Sequence, residues 1–566
     1  MERTFKIIYT SDTHGHIFPV NYAAGCGESS GLLNLAAQID KNGNTLVLDG
    51  GDSLQGTPLV QYYLAHADEF PHHPVAEAFN AMGCDYFTLG NHDFNFGYDA
   101  LRAYLCAMDG VCLCANVQDL GGALPLLPET VHTLKNGLRI GITGIVTDYV
   151  NVWEQPQNLK KLRITEAFDA ARAACARLRP ICDICVCIYH GGFEEDLHTG
   201  AVLSGSGENL ACRIARELDF DLLLTGHQHM PVESVRIGGT FAVQPPANAG
   251  RYLQVEAAVR DGGAEFSARL LPVGGIHREQ PYRRLLPLEQ AVQRWLDEPV
   301  GHLEQAIPPE EKLRAALHGS AVAALFNQVQ LSHTGADISC TSLGNEPAGL
   351  AASVTMRAIT AAYLFSNTLV VLEITEEILR ALLERCASYF TLENGMPRVS
   401  DAFLAPKVEH YNYDFFAGIS YQFDLRQPVG RRLTRLSRLD GTPLGPGPLR
   451  LCTSITVLRA PVATTHCAPA PYCGAAAWKC LSLWQSMCAP TVPFPCRVTA
   501  GWRLYGNTLD TICRLCFDKS RMLRKGGGTW TALIQPARWC WRRARVCVWP
   551  ARRPARFGRK PGIRIL

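Results

Sequence analysis

The chain is organised around a short polar loop, Leu-Gly-Asn-His-Asp-Phe at residues 89–94. An amide, an imidazole and a carboxylate follow one another in this loop, at Asn91, His92 and Asp93. The residues just before it, 86–89, read as a buried strand, so the loop lies where a strand ends and a turn begins. Open α/β sheets bind ligands in loops at the carboxyl ends of their strands. This pattern predicts that the loop belongs to a functional site.

Four further strand-like runs also lead into residues of the types that commonly bind metals. The runs at 7–11, 45–48, 184–189 and 220–225 are followed by these side chains: Asp12 and His14, Asp52, His190, and His227 with His229. Any one of them alone can be a turn cap or a buried histidine with a hydrogen-bond partner. Because strand ends converge at one edge of a sheet, we expect all of them to meet the loop at 89–94.

The residue types restrict the chemistry of this set. Asp, Asn and His suit borderline or hard divalent ions, and the set contains no Cys, which excludes a sulfur-ligated structural site. Seven ligands exceed the needs of one tetrahedral ion and suit two ions about 3.5–4 Å apart that polarise a phosphoryl group and activate water. His92 is then placed to protonate a leaving oxygen, with Asp93 orienting its ring.

These motifs resemble those of the calcineurin-like metallophosphoesterases. The stretches at 10–16, 90–97 and 207–209 are similar to the branch of 5′-nucleotidases and 2′,3′-cyclic-nucleotide 2′-phosphodiesterases. The resemblance implies one ion held by Asp12, His14, Asp52 and His229, and another held by Asp52, Asn91, His190 and His227. It also implies that Asn91 and His92 face the substrate phosphate, and that a hydroxide bridging two ions (Mn, Zn or similar) attacks phosphorus.

The resemblance also implies a fold and a domain organisation. Residues 1–290 are expected to form a four-layer α/β/β/α sandwich, followed by a linker and connecting helix at 291–305. Residues 306–453 are similar to the substrate-specificity domain of the same nucleotidases, a second α/β domain that sandwiches the nucleobase between two aromatic rings. We expect Tyr413 to be one of these rings. The alternative interpretation of the neighbouring rings, Phe415 and Phe416, is that they pack in the core of the domain. Base stacking contributes about 1–3 kcal/mol and tolerates any base.

Composition restricts partners and location. The chain has 566 residues, 47% of them hydrophobic, with a net charge of +2, as in an ordinary globular protein. It has no apolar run of 18 residues and no secretory signal, so we expect a cytoplasmic protein with no membrane partner. A monomer is favoured, and no polymeric nucleic acid is expected as a partner.

Cys182 and Cys185 could be half of a zinc site, but no second half follows at suitable spacing.

The last part of the chain differs from the rest. From Thr453 onward there are 19 Lys and Arg but only two acidic residues, and seven of the nine Trp. In the family, the preceding strand leads into Asn-Tyr-Arg followed by glycines and Asp-Tyr. The codons possible for residues 454–466, read one frame apart, can spell Asn-Tyr-Arg-Ala-Pro-Gly-Thr-Gly-Gly-Asp-Tyr-Pro. We therefore interpret residues 454–566 as an out-of-frame tail, disordered or poorly packed. A basic nucleic-acid-binding tail is the rival interpretation.

Several functions stay open at this point. The favoured one is hydrolysis of nucleoside 2′,3′-cyclic phosphates, nucleoside monophosphates or both. A nucleotide-sugar or nucleoside-diphosphate hydrolase would use the same site, and thiosulfate-transferring relatives share the fold with a different reaction. An inactive frameshifted remnant is the alternative outside enzymology.

Sequencing the gene tests the frameshift. We expect that the frame offset by one base encodes the Asn-Tyr-Arg motif at the codons for residues 454–466, because the protein sequence permits that respelling at every codon. A gene whose codons there do not spell the motif in the shifted frame would contradict the interpretation.

Overall fold

The computed structural model describes most of the chain up to residue 455. The described residues are 2–203, 205–260, 263–275, 279–346, 348–363, 368–404, 408–455 and 505–507. Apart from 454–455 and 505–507, the predicted out-of-frame tail lies outside the described residues. Within the described part, no helix combines the length and apolar character needed to cross a bilayer.

The first domain contains two stacked sheets. The first has seven strands in the spatial order Gly263–Pro272, Arg251–Arg260, Arg3–Thr10, Thr45–Asp49, Tyr86–Phe87, Val111–Leu113 and Leu126–Leu127. The second has six strands in the order Val232–Ile237, Thr240–Gln244, Leu222–Thr225, Ile184–His190, Arg139–Val146 and Glu129–Thr133. The central strands of both sheets are parallel and buried on both faces, which explains their nearly continuous apolar sequences.

Apolar side chains from both sheets form the core between them. Ile7 and Leu48 of the first sheet share a cluster of buried residues with Ile142, Val186 and Leu224 of the second. Helices cover the outer faces, and their bounds are Leu32–Gln38, Pro58–Ala65, Pro74–Met82, Gly97–Ala107, Val150–Trp153, Ala167–Leu178 and Ala211–Glu217. The predicted four-layer α/β/β/α architecture of this domain is confirmed.

Short elements complete the first domain. They are the two-stranded pairs Val20–Asn21 with Cys26–Gly27 and Val117–Asp119 with Leu162–Ile164, and the 3₁₀ turns Ala67–Glu69, Asn91–Phe94 and Arg179–Ile181. A long helix, Glu279–Asp297, then leads to the second domain. This helix overlaps the first part of the predicted linker and connecting helix at 291–305 and begins before it.

The second domain is built on a smaller mixed sheet. Its strands follow the order Asp414–Ala417, Ile338–Ser342, Leu449–Ile455, Thr368–Ile374 and Tyr505–Asn507. Three two-stranded pairs accompany it: Pro299–His302 with Ser353–Thr355, Phe390–Glu393 with Met396–Val399, and Ile419–Phe423 with Leu433–Arg438. Its helices are Lys312–His318, Ala321–Thr334, Met356–Ala362 and Glu376–Ala387, with 3₁₀ turns at Asp401–Phe403 and His410–Asn412. This is the predicted second α/β domain.

A buried polar network joins the connecting helix to both domains. Tyr22, in a loop of the first domain, donates its hydroxyl to the carboxylate of Glu289 on the helix over 2.7 Å. One turn further along the helix, Gln293 donates to the other oxygen of Glu289 and accepts from Arg357 of the second domain. Arg357 also donates to the backbone carbonyl of Tyr22 over 2.8 Å.

We expect Tyr22→Phe to lower the free energy of unfolding by about 1–3 kcal/mol, because the buried Glu289 carboxylate loses a hydrogen-bond donor. The measurement is urea unfolding of the full chain, followed by tryptophan fluorescence and circular dichroism. Unfolding that matches the unmodified protein by both probes would contradict the expectation.

Candidate metal centre

All seven predicted metal ligands lie at one edge of the two sheets. Six of them follow the carboxyl end of a strand, and the seventh, His190, is the last residue of the strand Ile184–His190. Asp12 and His14 follow Arg3–Thr10, Asp52 follows Thr45–Asp49, Asn91 follows Tyr86–Phe87, and His227 and His229 follow Leu222–Thr225. Two groups of side chains that could hold a metal are formed among the described residues. The parallel strands of two facing sheets bring these separate segments together.

The first group consists of Asp12, His14 and His229. The Nε2 atoms of His14 and His229 are 3.0 Å apart, and His229 Nε2 lies 3.3 Å from a carboxylate oxygen of Asp12. One ligand atom from each of the three side chains lies within 4.8 Å of the other two, which is close enough for one cation to bind all three. Asp12 and His14 are buried, while His229 is exposed, so this group opens to solvent on one side.

The second group consists of Asp52, His190 and His227, with Asn91 beside them. The Nε2 atom of His190 lies 3.3 Å from Asp52 Oδ2 and 3.1 Å from Asn91 Oδ1. His227 approaches the same Asn91 oxygen with its Nδ1 atom, at 2.9 Å. The oxygen and nitrogen atoms of these side chains thus converge on one point, which is the arrangement that a hard or borderline divalent ion requires.

Backbone carbonyls fix which nitrogen two of the histidines offer. His14 Nδ1 lies 2.7 Å from the carbonyl oxygen of Gln55, and His190 Nδ1 lies 2.7 Å from that of Gly50. A carbonyl oxygen only accepts hydrogen bonds, so both Nδ1 atoms carry a hydrogen, and Nε2 is the nitrogen that each ring offers to a metal. Outer partners of this kind orient histidine ligands in metal sites.

Backbone conformation at the site is unusual. Five of the predicted ligands have positive φ angles, although none is glycine: Asp12, His14, Asp52, His227 and His229. Gly51 also has a positive φ, of 89°, and any side chain there would collide with the backbone of Leu89 and Gly90. Non-glycine residues adopt this region at a cost, and such residues cluster at functional sites.

The electrostatics of the site suit a cation. Burial lowers the pKa of His14 to about 4, which keeps this imidazole neutral and able to bind a metal. Burial also opposes a charge on His190, but the carboxylate of Asp52 and that of Asp12 overcome it and raise the pKa of His190 to about 10. The negative charge that holds a proton on His190 would equally favour a divalent ion. The donor set and its charge therefore fit two metal ions.

Asp93 has a different contact from the predicted one. Its carboxylate accepts hydrogen bonds from four backbone N–H groups, those of Asp52, Ser53, Leu54 and Gly90, at 2.8–3.0 Å. It therefore fixes the two loops that carry Asp52 and Asn91, and it does not orient the His92 ring. The prediction for Asp93 is corrected because these donors occupy both of its oxygens.

The ring of His92 is held by a residue that sequence reasoning missed. His92 Nδ1 lies 2.8 Å from the side-chain oxygen of Asn95, one helical turn further on, and Asn95 in turn donates to Glu154 over 2.6 Å. The spacing of three residues between His92 and Asn95 is a signal that the sequence carries. Glu154 is 59 residues from Asn95 along the chain, and no local pattern indicates it.

A second missed residue is Glu208. Its carboxylate lies 2.9 Å from His227 Nε2, on the opposite side of the ring from the Nδ1 atom that faces Asn91. The Trp153 ring stacks on His227, with ring centroids 5.3 Å apart. The sequence motif at 207–209 includes Glu208, but its type and spacing alone do not assign it a partner.

Tyr413 lies in the core of the second domain. Only 2% of its surface is exposed, and its ring packs against Tyr389, Phe390 and Phe415. Its hydroxyl donates to the backbone carbonyl of Ala316 over 3.0 Å. The structure thus places this ring among core aromatics rather than at a surface where a base could stack.

Two family models match the chain. The calcineurin-like phosphoesterase model matches residues 5–231, and the model of the 5′-nucleotidase C-terminal domain matches residues 299–447. The chain combines a calcineurin-like phosphoesterase domain with a 5′-nucleotidase C-terminal domain. This confirms the predicted family, the two-domain α/β fold and, at the level of the family, the class of phosphoric ester hydrolases.

Individual relatives of this phosphoesterase are distant in sequence. It is 23% identical over 485 residues to a trifunctional nucleotide phosphoesterase of Bacillus subtilis, covering 75% of this chain but only 33% of that protein. It is also 23% identical to a 2′,3′-cyclic-nucleotide 2′-phosphodiesterase/3′-nucleotidase of Haemophilus influenzae, covering 75% of this chain and 73% of the relative. A crystal structure described as a 5′-nucleotidase, from Staphylococcus aureus, superposes with a TM-score of 0.72 at 28% identity, over 80% of this chain and 90% of that one.

We expect Glu208→Ala to weaken metal binding at the second group by about 10–100-fold, because His227 loses the partner that orients its ring. Glu208→Gln keeps an acceptor oxygen, so its metal affinity should lie between that of the unmodified protein and that of Glu208→Ala. The measurement is isothermal titration of metal-free protein with Mn²⁺ or Zn²⁺.

A matched control for that titration is Glu217→Ala, which removes an exposed carboxylate that pairs with Arg213 and is not a predicted ligand. Unchanged affinity in Glu208→Ala, or an equal loss in Glu217→Ala, would contradict the role of Glu208.

Proposed function

We propose that this phosphoesterase hydrolyses nucleotides, with nucleoside 2′,3′-cyclic phosphates and nucleoside monophosphates as its substrate class and two ions such as Mn²⁺ or Zn²⁺ as its cofactor. The observation that carries the proposal is the pair of ligand groups at one sheet edge with His92 beside them. The ring centroids of His14 and His92 are 5.6 Å apart, and the backbone N–H of His92 donates to Asp52 over 2.7 Å.

The two groups of ligands support hydrolysis of a phosphoester. When two divalent ions are bound, they polarise the phosphoryl group and activate water for in-line attack. The chain supplies negative ligands that balance the charge of the ions, chiefly Asp12 and Asp52, both fully buried. Asn91 has an amide NH₂ group, a donor suited to a phosphate oxygen.

His92 is the proposed proton donor to the leaving oxygen. Its Nδ1 atom is engaged by Asn95, which leaves Nε2 as the ring atom that exchanges a proton with substrate. General acid catalysis by a positioned imidazole contributes about 10²–10⁴-fold to the rate.

The second domain supports the nucleotide assignment. Residues 299–447 match the C-terminal domain of 5′-nucleotidases, and both relatives named above carry nucleotide phosphoester substrates in their names. Because Tyr413 is buried, we do not assign it the stacking role in this conformation. Tyr411, two residues earlier, is partly exposed and is a candidate platform instead.

The test is hydrolysis of 2′,3′-cyclic AMP, AMP and an aryl phosphate with Mn²⁺ or Zn²⁺, followed by chromatography of the products. We expect turnover of the nucleotides, reduced by about 10²–10⁴-fold in His92→Ala because the leaving oxygen loses its proton donor. His302→Ala, which removes an exposed imidazole of the second domain, is the matched control.

The remaining outcomes separate the parts of the proposal. Turnover of the aryl phosphate alone would overturn the nucleotide assignment and leave the metal centre in place. Loss of all activity in a folded, metal-loaded protein would overturn the hydrolase assignment for this chain and favour an inactive remnant.

A further inference from the structure

A chain of three side chains leads from His92 away from the metal ligands. His92 Nδ1 lies 2.8 Å from Asn95 Oδ1, and Asn95 Nδ2 donates to Glu154 Oε2 over 2.6 Å. The other carboxylate oxygen, Glu154 Oε1, accepts from the backbone N–H of Gln155 at 2.6 Å and from Asn158 Nδ2 at 2.8 Å. Only 5% of Glu154 is exposed, so water does not compete for these contacts.

The fold places these groups with little freedom. Asn95 follows the 3₁₀ turn Asn91–Phe94, and Glu154 follows the short helix Val150–Trp153. Asn158 ties the two segments together, since its side-chain NH₂ donates both to Glu154 and to the backbone carbonyl of Asn95, the latter over 3.1 Å. Segments far apart in the sequence are thereby locked at the positions that the side chains need.

The direction of every hydrogen bond in this chain follows from the carboxylate. An ionised carboxylate only accepts, so the NH₂ group of Asn95 must face Glu154. The amide oxygen of Asn95 must then face His92, and that oxygen also only accepts. The hydrogen of the neutral His92 ring is therefore on Nδ1, and its Nε2 atom carries the lone pair.

We propose that Glu154 is a positioning residue for catalysis, which acts through the Asn95 amide to fix the tautomer and orientation of His92. Its hydrogen-bond partners in the described structure are Asn95, Gln155 and Asn158, none of which is a predicted metal ligand. Its effect is to determine that Nε2, rather than Nδ1, is the nitrogen through which His92 exchanges a proton at the site. This inference rests on the proposed role of His92 in phosphoester hydrolysis.

The substitution Glu154→Gln is expected to reverse the direction of the hydrogen bonds that link residue 154 to Asn95 and Asn95 to His92. Gln155 and Asn158 both donate to the Oε1 position, so the amide oxygen of the new side chain must stay there and its NH₂ group must face Asn95. Asn95 then turns its oxygen toward this NH₂ and its own NH₂ toward His92. The ring must accept at Nδ1 and carry its hydrogen on Nε2.

A second substitution should restore the original polarity. In the double variant Asn95→Asp with Glu154→Gln, an aspartate carboxylate accepts from both sides, from the glutamine NH₂ and from His92 Nδ1–H. The double variant has side chains of nearly the same shape at all three positions, so a purely structural role of Glu154 would not produce this rescue.

The experiment measures kcat and KM for the proposed nucleotide substrates and, separately, the His92 tautomer. Long-range ¹H–¹⁵N spectra of the zinc-loaded full chain with ¹⁵N-labelled histidine report which ring nitrogen carries the hydrogen. The His92 signals are identified by their absence in His92→Ala. We expect Glu154→Gln to move the hydrogen to Nε2 and to lower kcat by about 10–100-fold with a smaller change in KM, and the double variant to reverse both effects.

Two results would overturn the inference. One is a Glu154→Gln protein whose His92 keeps its hydrogen on Nδ1, and the other is a double variant no more active than Glu154→Gln. Should the protein hydrolyse no nucleotide at all, the proposed function fails, but the spectra still show whether Glu154 sets the tautomer. Glu217→Gln, an exposed carboxylate on another helix, is the control for loss of charge alone.

Discussion

The metal centre depends on one buried carboxylate that is not itself a predicted ligand. Asp93 accepts four backbone N–H groups from two loops, one carrying Asp52 and the other carrying Asn91. Burial, and then the negative charge of Asp52, raises the pKa of Asp93 to about 6, while the N–H donors favour its ionised form. The same two loops approach so closely that only glycine fits at Gly51. Without this carboxylate, four N–H groups of these two loops would lose their acceptor.

The rest of the centre shows how a rigid sheet edge concentrates charge. Two fully buried aspartates and four histidines face one another, and the proton held on His190 is the response of the protein to that negative charge. Five ligands adopt positive φ angles that a free chain avoids. The folded sheets supply the energy that maintains these strained conformations. Side chains outside the ligand set, such as Glu208 and Asn95, orient the rings.

The two domains are connected by more than a single helix. Glu289 and Gln293 on that helix link Tyr22 of the first domain to Arg357 of the second through a continuous set of hydrogen bonds. The second domain has its own core, in which Tyr413 is one of several packed aromatic rings. The aromatic-rich segment at 411–418 thus packs Tyr413 and Phe415 into this core and leaves Tyr411 partly exposed.

The sequence by itself determined the family, the layered fold and the seven candidate ligands, because each ligand directly follows or ends a recognisable buried strand. Local order along the chain is enough for that inference, since parallel strands align their carboxyl ends. Only the tertiary structure decided what Asp93, Asn95, Glu154 and Tyr413 do. Their hydrogen-bond and packing partners lie on separate segments of the chain. A buried carboxylate, for example, can accept a hydrogen bond from a backbone N–H group, a histidine ring or a side-chain amide equally well. Which of these it meets depends on packing between segments that the sequence does not order in space.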